Sequence, residues 1–168
     1  MIVCYLKPMR HNVKFSGLSI AGTYIIIAFF IGMILFWIYK GNVATWVPCA
    51  FGAILFGLLI AALFYMPVWL SIDKTAICIK TPLRIKRIPL DEVASMQLCP
   101  PTMAEMRLCG SGGFFGYWGW FREPSIGVYF AYYGKSSDCF LVRLKNGKQY
   151  MLGCQDPAEI VEYYESHR

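Results

Sequence analysis

Residues 18–39 read LSIAGTYIIIAFFIGMILFWIY, a run of 22 residues without a charged side chain. Wound as an α-helix, this run is about 33 Å long, and the hydrocarbon core of a bilayer is about 30 Å thick. A second uncharged run, residues 43–70, is longer still. Near the ends of the two runs lie amphipathic rings, which favour the headgroup level: Trp37, Tyr39, Trp46, Tyr65 and Trp69. The sequence therefore predicts two membrane-spanning helices, at about residues 18–39 and 46–69, and we expect Pro67 to end or bend the second.

Basic residues predict how these helices are oriented. Only residues 40–42 separate the two runs, so the helices must form a tight antiparallel hairpin with both ends on one side. Three basic residues precede the first run and five follow closely after the second, whereas the loop carries only Lys40. The positive-inside bias therefore predicts a multi-pass protein, embedded in the lipid bilayer, with both termini in the cytoplasm.

Small residues recur on both predicted helices. They allow helix backbones to approach closely in lipid, and here they are Ala28 and Gly32 on the first helix and Ala53, Gly57 and Ala61 on the second. We expect them to pack the two helices of the hairpin together, or alternatively to form the face of a homodimer.

Composition excludes several classes of function. Hydrophobic residues make up 57% of the chain and charged residues 15%, and all ten acidic residues lie at Asp73 or later. Residues 71–168 carry 12 basic and 10 acidic side chains, too small an excess for a nucleic-acid surface. Seven cysteines form no CxxC pair, and only two histidines are present, so we expect reduced thiols and neither a metal nor another cofactor.

From residue 71 onward the apolar residues alternate, which predicts a separate β domain over residues 71–168, after an N-terminal segment and hairpin over residues 1–70. Predicted strands cover residues 76–80, 85–88, 93–98, 126–133, 139–144 and 149–152. Asn146-Gly147 between the last two favours a hairpin turn. Asp156, Pro157 and Glu159 predict a capped final helix. The fold class is α+β: a two-helix transmembrane hairpin, then an antiparallel β-barrel or bent sheet closed by a C-terminal helix.

Residues 107–117, RLCGSGGFFGY, followed by Gly119, Phe121 and Arg122, resemble the glycine-aromatic signature of a bacterial PH-like domain family. Members of that family often carry two transmembrane helices just upstream. The resemblance covers roughly residues 43–165 and implies a PH-like fold at a bacterial inner membrane, with no reaction or ligand attached. Trp118 and Trp120 make this segment bulkier than is usual for the family.

Residues 110–122 hold five glycines and six aromatic residues, so we treat the segment as a candidate contact loop. Rigid rings suit a protein contact or insertion among lipid headgroups, but they could equally complete the domain core. The candidate contact residues are Gly110, Gly112, Gly113, Phe114, Phe115, Gly116, Tyr117, Trp118, Trp120 and Arg122.

A basic cluster just after the second helix is the alternative binding feature. Such clusters attract anionic lipid, with about 1 kcal/mol per basic residue, although orientation alone also requires positive charge here. Its members are Lys80, Arg84, Lys86 and Arg87.

No catalytic residues emerge from the sequence, because no nucleophile with a neighbouring base is visible. The leading hypothesis is a membrane-tethered, non-catalytic PH-like module that binds a protein partner or its own copies at the cytoplasmic face. The alternatives are a sensor of anionic lipid headgroups and a membrane-bound enzyme whose site the sequence does not reveal.

Overall fold

A computed structural model of the chain describes residues 9–41, 44, 46–102 and 104–167. Within those ranges the elements, in chain order, are β1 (Met9–Asn12), α1 (Gly17–Lys40), α2 (Trp46–Tyr65), β2 (Trp69–Ile72), β3 (Ala76–Lys80), β4 (Ile85–Pro89), a 3-10 turn (Leu90–Glu92), β5 (Val93–Leu98), β6 (Met106–Gly113), β7 (Gly116–Glu123), β8 (Gly127–Tyr133), a second 3-10 turn (Ser136–Asp138), β9 (Cys139–Leu144), β10 (Gln149–Gly153) and α3 (Pro157–Ser166).

The two long helices have the length and composition to cross a membrane. Only 11% of the most apolar window of α1 and 6% of that of α2 is buried, so neither is a core helix of a globular domain. Ser16 caps α1 by accepting a hydrogen bond from the Ser19 N–H. The expectation that the second helix reaches residue 69 is wrong: α2 ends at Tyr65, because Pro67 cannot continue the helix, and Trp69 already belongs to β2.

Aromatic side chains, rather than the small residues, form the contact between α1 and α2. Phe51 packs against both Phe30 and Trp37, with ring centroids 5.8 and 4.5 Å apart. The predicted role of the small residues in hairpin packing is therefore wrong for most of them, because the rings occupy the seam and the small residues face outward: Ala28, Gly32, Ala53 and Gly57 are exposed, and Ala61 is half-buried.

Both ends of the helical hairpin enter one antiparallel sheet, with strand order β1-β2-β3-β4. β1 precedes α1 and β2 follows α2, yet Met9 pairs with Ile72 and Asn12 with Trp69. The inner face of this sheet carries buried aliphatic side chains, among them Leu70, Ile77 and Ile79. The segment before α1 is therefore part of the β structure.

The second sheet has six strands in the order β5-β9-β10-β8-β7-β6. All its pairs are antiparallel except β8–β10, which is parallel, and β10 lies between β8 and β9 in the sheet. Among the described residues no strand pairing joins the two sheets, which separate at the 3-10 turn Leu90–Glu92. The structure is accordingly a pair of sheets with a C-terminal helix, and strand pairing does not close them into the β-barrel that was one form of the expected fold.

The main core lies between the sheets and α3. Leu70 and Ile77 of the first sheet meet Phe140 and Val142 of the second, with Ile160 of α3 against them. Pro157 begins α3 as predicted, but the capping box does not form. Asp156 has φ 54°, a left-handed conformation, whereas a side chain that caps a helix start normally belongs to a residue in the extended region.

Candidate functional site

The glycine-aromatic segment is a β-hairpin, so its description as a loop is wrong. Strands β6 and β7 pair in register, with Ser111 opposite Trp118 and Gly113 opposite Gly116 at the turn. Sequence periodicity missed both strands because glycines occupy many positions where an apolar or polar side chain would reveal the alternation.

Two facing glycines bend this hairpin. Gly110 pairs with Gly119, with φ values of 128° and 121°, which L side chains rarely adopt. A Cβ on Gly110 would overlap the Trp118 carbonyl oxygen, and one on Gly119 would overlap the Cys109 carbonyl oxygen. Leu108 is an extra, bulged residue in β6, which bends the strand further. The tip of the hairpin thereby turns toward α1.

The tip, residues 113–116, is hydrogen-bonded to the first turns of α1. Ser19 Oγ donates to the Gly113 carbonyl oxygen (2.8 Å) and accepts from the Gly116 N–H (3.0 Å). Thr23 Oγ1 accepts from the Phe115 N–H (2.9 Å). Ser19 and Thr23 are buried, with 1% and 7% exposure, although they belong to an apolar helix. We call this contact the tip–α1 junction. Sequence reasoning missed it because two hydroxyls within a long apolar run carry no partner information.

Aromatic packing completes the attachment. Trp118 stacks on Tyr65, the last residue of α2, with centroids 5.6 Å apart and ring planes at 13°. Its indole N–H donates to the Phe114 carbonyl oxygen (3.1 Å). Trp118 and Phe114 are buried, and Tyr117 stacks on Tyr133 at 4.8 Å. Of the three interpretations of this segment, packing within the domain core therefore applies to these rings.

The far end of the hairpin carries an exposed patch, which we call the Trp120 patch: Met106, Trp120, Arg122 and Val128. Met106 lies opposite Arg122, which lies opposite Val128, and Trp120 shares their face two residues along β7. Trp120 is 44% exposed and meets Phe130 edge to face at 5.1 Å. Of the ten predicted contact residues, Trp120 and Arg122 are the ones whose side chains belong to this accessible surface.

The members of the basic cluster are divided between the two faces of the four-stranded sheet. Lys86 Nζ lies 4.0 Å from the Tyr150 ring centroid and 5.5 Å from those of Phe130 and Tyr132, so Lys86 is held in an aromatic pocket on the inner side of β4. Arg87, next in the strand, lies on the outer face opposite Cys78. The structure therefore removes Lys86 from the predicted headgroup cluster.

Lys80 and Arg84 flank the turn between β3 and β4. This turn touches α2, because the Leu83 N–H donates to the Leu63 carbonyl oxygen at 3.2 Å. Leu83 is 59% exposed, and Arg84 is exposed beside it. The turn therefore lies level with the last residues of an apolar helix.

A buried polar cluster lies on the opposite face of the six-stranded sheet. Glu105 accepts hydrogen bonds from the Tyr129 and Tyr133 hydroxyls at 2.8 Å. Glu123, only 1% exposed, accepts from Thr102 Oγ1 at 2.6 Å. These bonds hold Thr102 and Glu105 against the sheet.

The cysteines beside this cluster are not in the thiolate form that a nucleophilic site requires. Burial and the charge of Glu123 raise the pKa of the Cys99 thiol, and burial and the charge of Glu105 raise that of Cys139. Both thiols are therefore protonated at neutral pH, whereas a nucleophilic cysteine acts as the thiolate. In the described part of the chain, no three acidic, histidine or cysteine side chains come together as a metal site.

Two β-sheets packed around a terminal helix, carried on two apolar helices, define a membrane-associated β domain. Residues 68–168 match the family model of the bacterial PH domain. The chain belongs to the bacterial PH domain family, and the resemblance noted in the sequence is confirmed. The match begins just before β2, so β1 and both long helices lie outside it. No curated protein and no solved structure matches the chain.

Proposed function

We propose that this protein is a non-catalytic interaction module tethered to the cytoplasmic face of a bacterial inner membrane, with both termini in the cytoplasm. The tip–α1 junction carries the proposal. Because Ser19 and Thr23 bind the hairpin tip directly, the PH domain is attached in one orientation instead of swinging on a linker. The Trp120 patch is consequently held at a constant distance from the membrane and in a constant direction.

The Trp120 patch has the composition of a protein-binding surface. Trp, Arg and Met are enriched at interface centres, and Trp and Arg often contribute most of the binding energy. Met106, Trp120 and Val128 are 60%, 44% and 45% exposed, and Arg122 lies between Met106 and Val128. We propose that the patch binds a protein partner or a second copy of this chain.

Photocrosslinking in intact membranes tests this proposal. A photoreactive amino acid at Val128 should give a discrete crosslinked species, and one at exposed Gln155, outside the patch, should not. The species should disappear when Trp120→Ala and Arg122→Ala are combined. A product of about twice the chain mass of 19.1 kDa identifies a second copy, and another mass identifies a different partner. A crosslink at Val128 that persists in the double variant contradicts the proposal.

The predicted topology has a separate test. A reporter that works only in the cytoplasm should be active when it is fused after the C-terminus, and a reporter that works only outside the cytoplasm should be inactive there. Activity confined to the other side of the membrane would overturn the orientation and leave the tip–α1 junction unaffected.

A second candidate function, binding of anionic headgroups, is favoured by the β3–β4 turn against α2. Lys80 and Arg84 flank an exposed Leu83 at the level of the helix end. In nanodiscs, the backbone amides of Thr81, Leu83 and Arg84 should exchange more slowly in anionic than in neutral lipid, and 0.5 M salt should remove the difference. Arg84→Gln should weaken this protection. Identical exchange in both lipids would remove this candidate.

A further inference from the structure

A cleft of about 510 Å³ opens between the two long helices and the β6–β7 hairpin. One wall is formed by apolar helix residues, and the opposite wall is β6 with the turn that follows it. The helix wall contains Leu18, Gly22 and Ile26 of α1 and Leu58 of α2. From Leu18 to Ile26 this wall is about 12 Å long, close to the ~15 Å hydrocarbon depth of one leaflet.

Among the described residues that line the cleft, Arg107 alone has a charged side chain. Its Nη1 lies 2.9 Å from the position that a Cβ on Gly112 would occupy. The guanidinium therefore lies against the Gly112 backbone, where a side chain on residue 112 would crowd it. Arg107 is exposed and, within the part of the chain that the structure describes, forms no ion pair. An uncompensated guanidinium therefore lies in the same cleft as an apolar wall.

We propose that this cleft binds one anionic phospholipid, with an acyl chain along Leu18, Gly22, Ile26 and Leu58 and the phosphate at Arg107. The cleft needs both features in one ligand, because a free phosphate would not contact the apolar helix wall and a neutral hydrocarbon would leave Arg107 without an anionic partner. Guanidinium groups pair well with phosphate oxygens through paired N–H donors. The helix wall belongs to segments suited to the bilayer, where phospholipid is the abundant molecule of this kind. Such a lipid would also contact the hairpin beside the tip–α1 junction.

This site is distinct from the β3–β4 turn. Arg107 lies on β6 of the six-stranded sheet, whereas Lys80 and Arg84 flank the turn between β3 and β4 of the four-stranded one. The inference depends on membrane association but not on the Trp120 patch, so it can fail while the proposed function survives.

Native mass spectrometry of the full chain released from detergent tests the site with phosphatidylglycerol and phosphatidylethanolamine as probes. One phosphatidylglycerol should remain bound at collision energies that remove all others. Arg107→Gln should lower its retention about fivefold, the loss of one basic residue near a headgroup. Gly22→Leu should displace it as well, because a side chain at Gly22 meets open space and extends into the cleft.

Two matched variants serve as controls. Gly32→Leu adds the same side chain to α1 in open space outside the cleft, and Arg122→Gln removes the same charge from the same hairpin. Both should retain the lipid as the unaltered chain does, and circular dichroism should show all four variants folded. Unchanged retention in both Arg107→Gln and Gly22→Leu would overturn the site. Displacement of the lipid by millimolar glycerol 3-phosphate would also overturn it, since that probe lacks an acyl chain.

Discussion

The hydroxyl of Ser19, in the first turn of an apolar helix, accepts a hydrogen bond from the backbone N–H of Gly116 in the β6–β7 turn at 3.0 Å. The two residues are 97 positions apart, and the same hydroxyl donates to the Gly113 carbonyl oxygen on the other side of the turn. One side chain therefore satisfies a donor and an acceptor at the hairpin tip. The start of α1 is thus bound directly to the PH domain through the tip–α1 junction.

Ser19→Ala should destabilise the protein by about 1–3 kcal/mol. The substitution leaves the buried Gly116 N–H without its acceptor, which costs more than the mean value of a hydrogen bond. The thermal unfolding midpoint of the detergent-solubilised chain measures the effect. Ser136→Ala, the same substitution at an exposed position, should leave the midpoint unchanged. Equal midpoints for the two variants would show that the junction contributes no stability.

Gly110→Ala should prevent folding, whereas Gly113→Ala should be tolerated better. Both glycines have positive φ, 128° and 134°, which alone costs a side chain on the order of 1–3 kcal/mol. Only at Gly110 does a Cβ also overlap backbone, whereas at Gly113 it meets open space. The yield of monodisperse protein after size-exclusion chromatography should separate the two variants. Equal yields would mean that the bend is not required.

Trp118→Ala should lower the stability of the domain, whereas Trp120→Ala should mainly remove the partner contact. Trp118 is 8% exposed and stacked on Tyr65, so its truncation should cost about 3–5 kcal/mol. Trp120 is 44% exposed, and its truncation should cost about 1 kcal/mol or less while abolishing the Val128 crosslink. Tryptophan fluorescence during thermal unfolding gives the first quantity. A folded Trp118→Ala chain as stable as the original would contradict its place in the core.

Stability should decline above pH 10. Burial and the charge of Glu105 raise the pKa of Tyr133 above its ordinary value of 10.0. A raised pKa contributes stability that is fully present below pH 10 and is lost as the pH rises, because the unfolded chain releases the proton first. The loss approaches about 1.4 kcal/mol per pH unit for each such tyrosine.

Tyr133→Phe isolates this contribution. It should flatten the decline measured by thermal unfolding between pH 9 and 11, while lowering stability at pH 7 by about 1.5–3 kcal/mol through the lost hydrogen bonds to Glu105. Tyr129 titrates in the same direction, so part of the decline should remain. Parallel pH profiles for the two proteins would contradict the assignment to Tyr133.

Strands with alternating apolar residues could be predicted from the sequence, and several matched closely. The strands predicted at residues 76–80, 93–98 and 139–144 have those bounds in the structure. β1 was missed because MRHN contains one clearly apolar residue and owes its conformation to pairing with β2, some 60 residues away. Local sequence carries no information about such a partner.

The candidate site was only partly predictable for a related reason. The unusual composition of residues 110–122 marked the segment, but composition could not separate Trp118, which is covered by Tyr65, from Trp120, which is 44% exposed on the same face two positions later. In the sequence, Lys86 cannot be distinguished from its basic neighbours. Its position over the Tyr150 ring arises because the six-stranded sheet packs against β4. In both cases the environment is set by another element of the chain.

Hydrogen–deuterium exchange of the full chain can test the claim that the hairpin tip is fastened to α1. The Phe115 and Gly116 amides donate to Thr23 and Ser19 and should exchange slowly in the unaltered protein. Ser19→Ala combined with Thr23→Val should accelerate exchange in the peptide covering residues 112–120 and leave the β9–β10 hairpin unchanged. Rapid exchange of that peptide in the unaltered protein, or equal rates in both proteins, would contradict the claim.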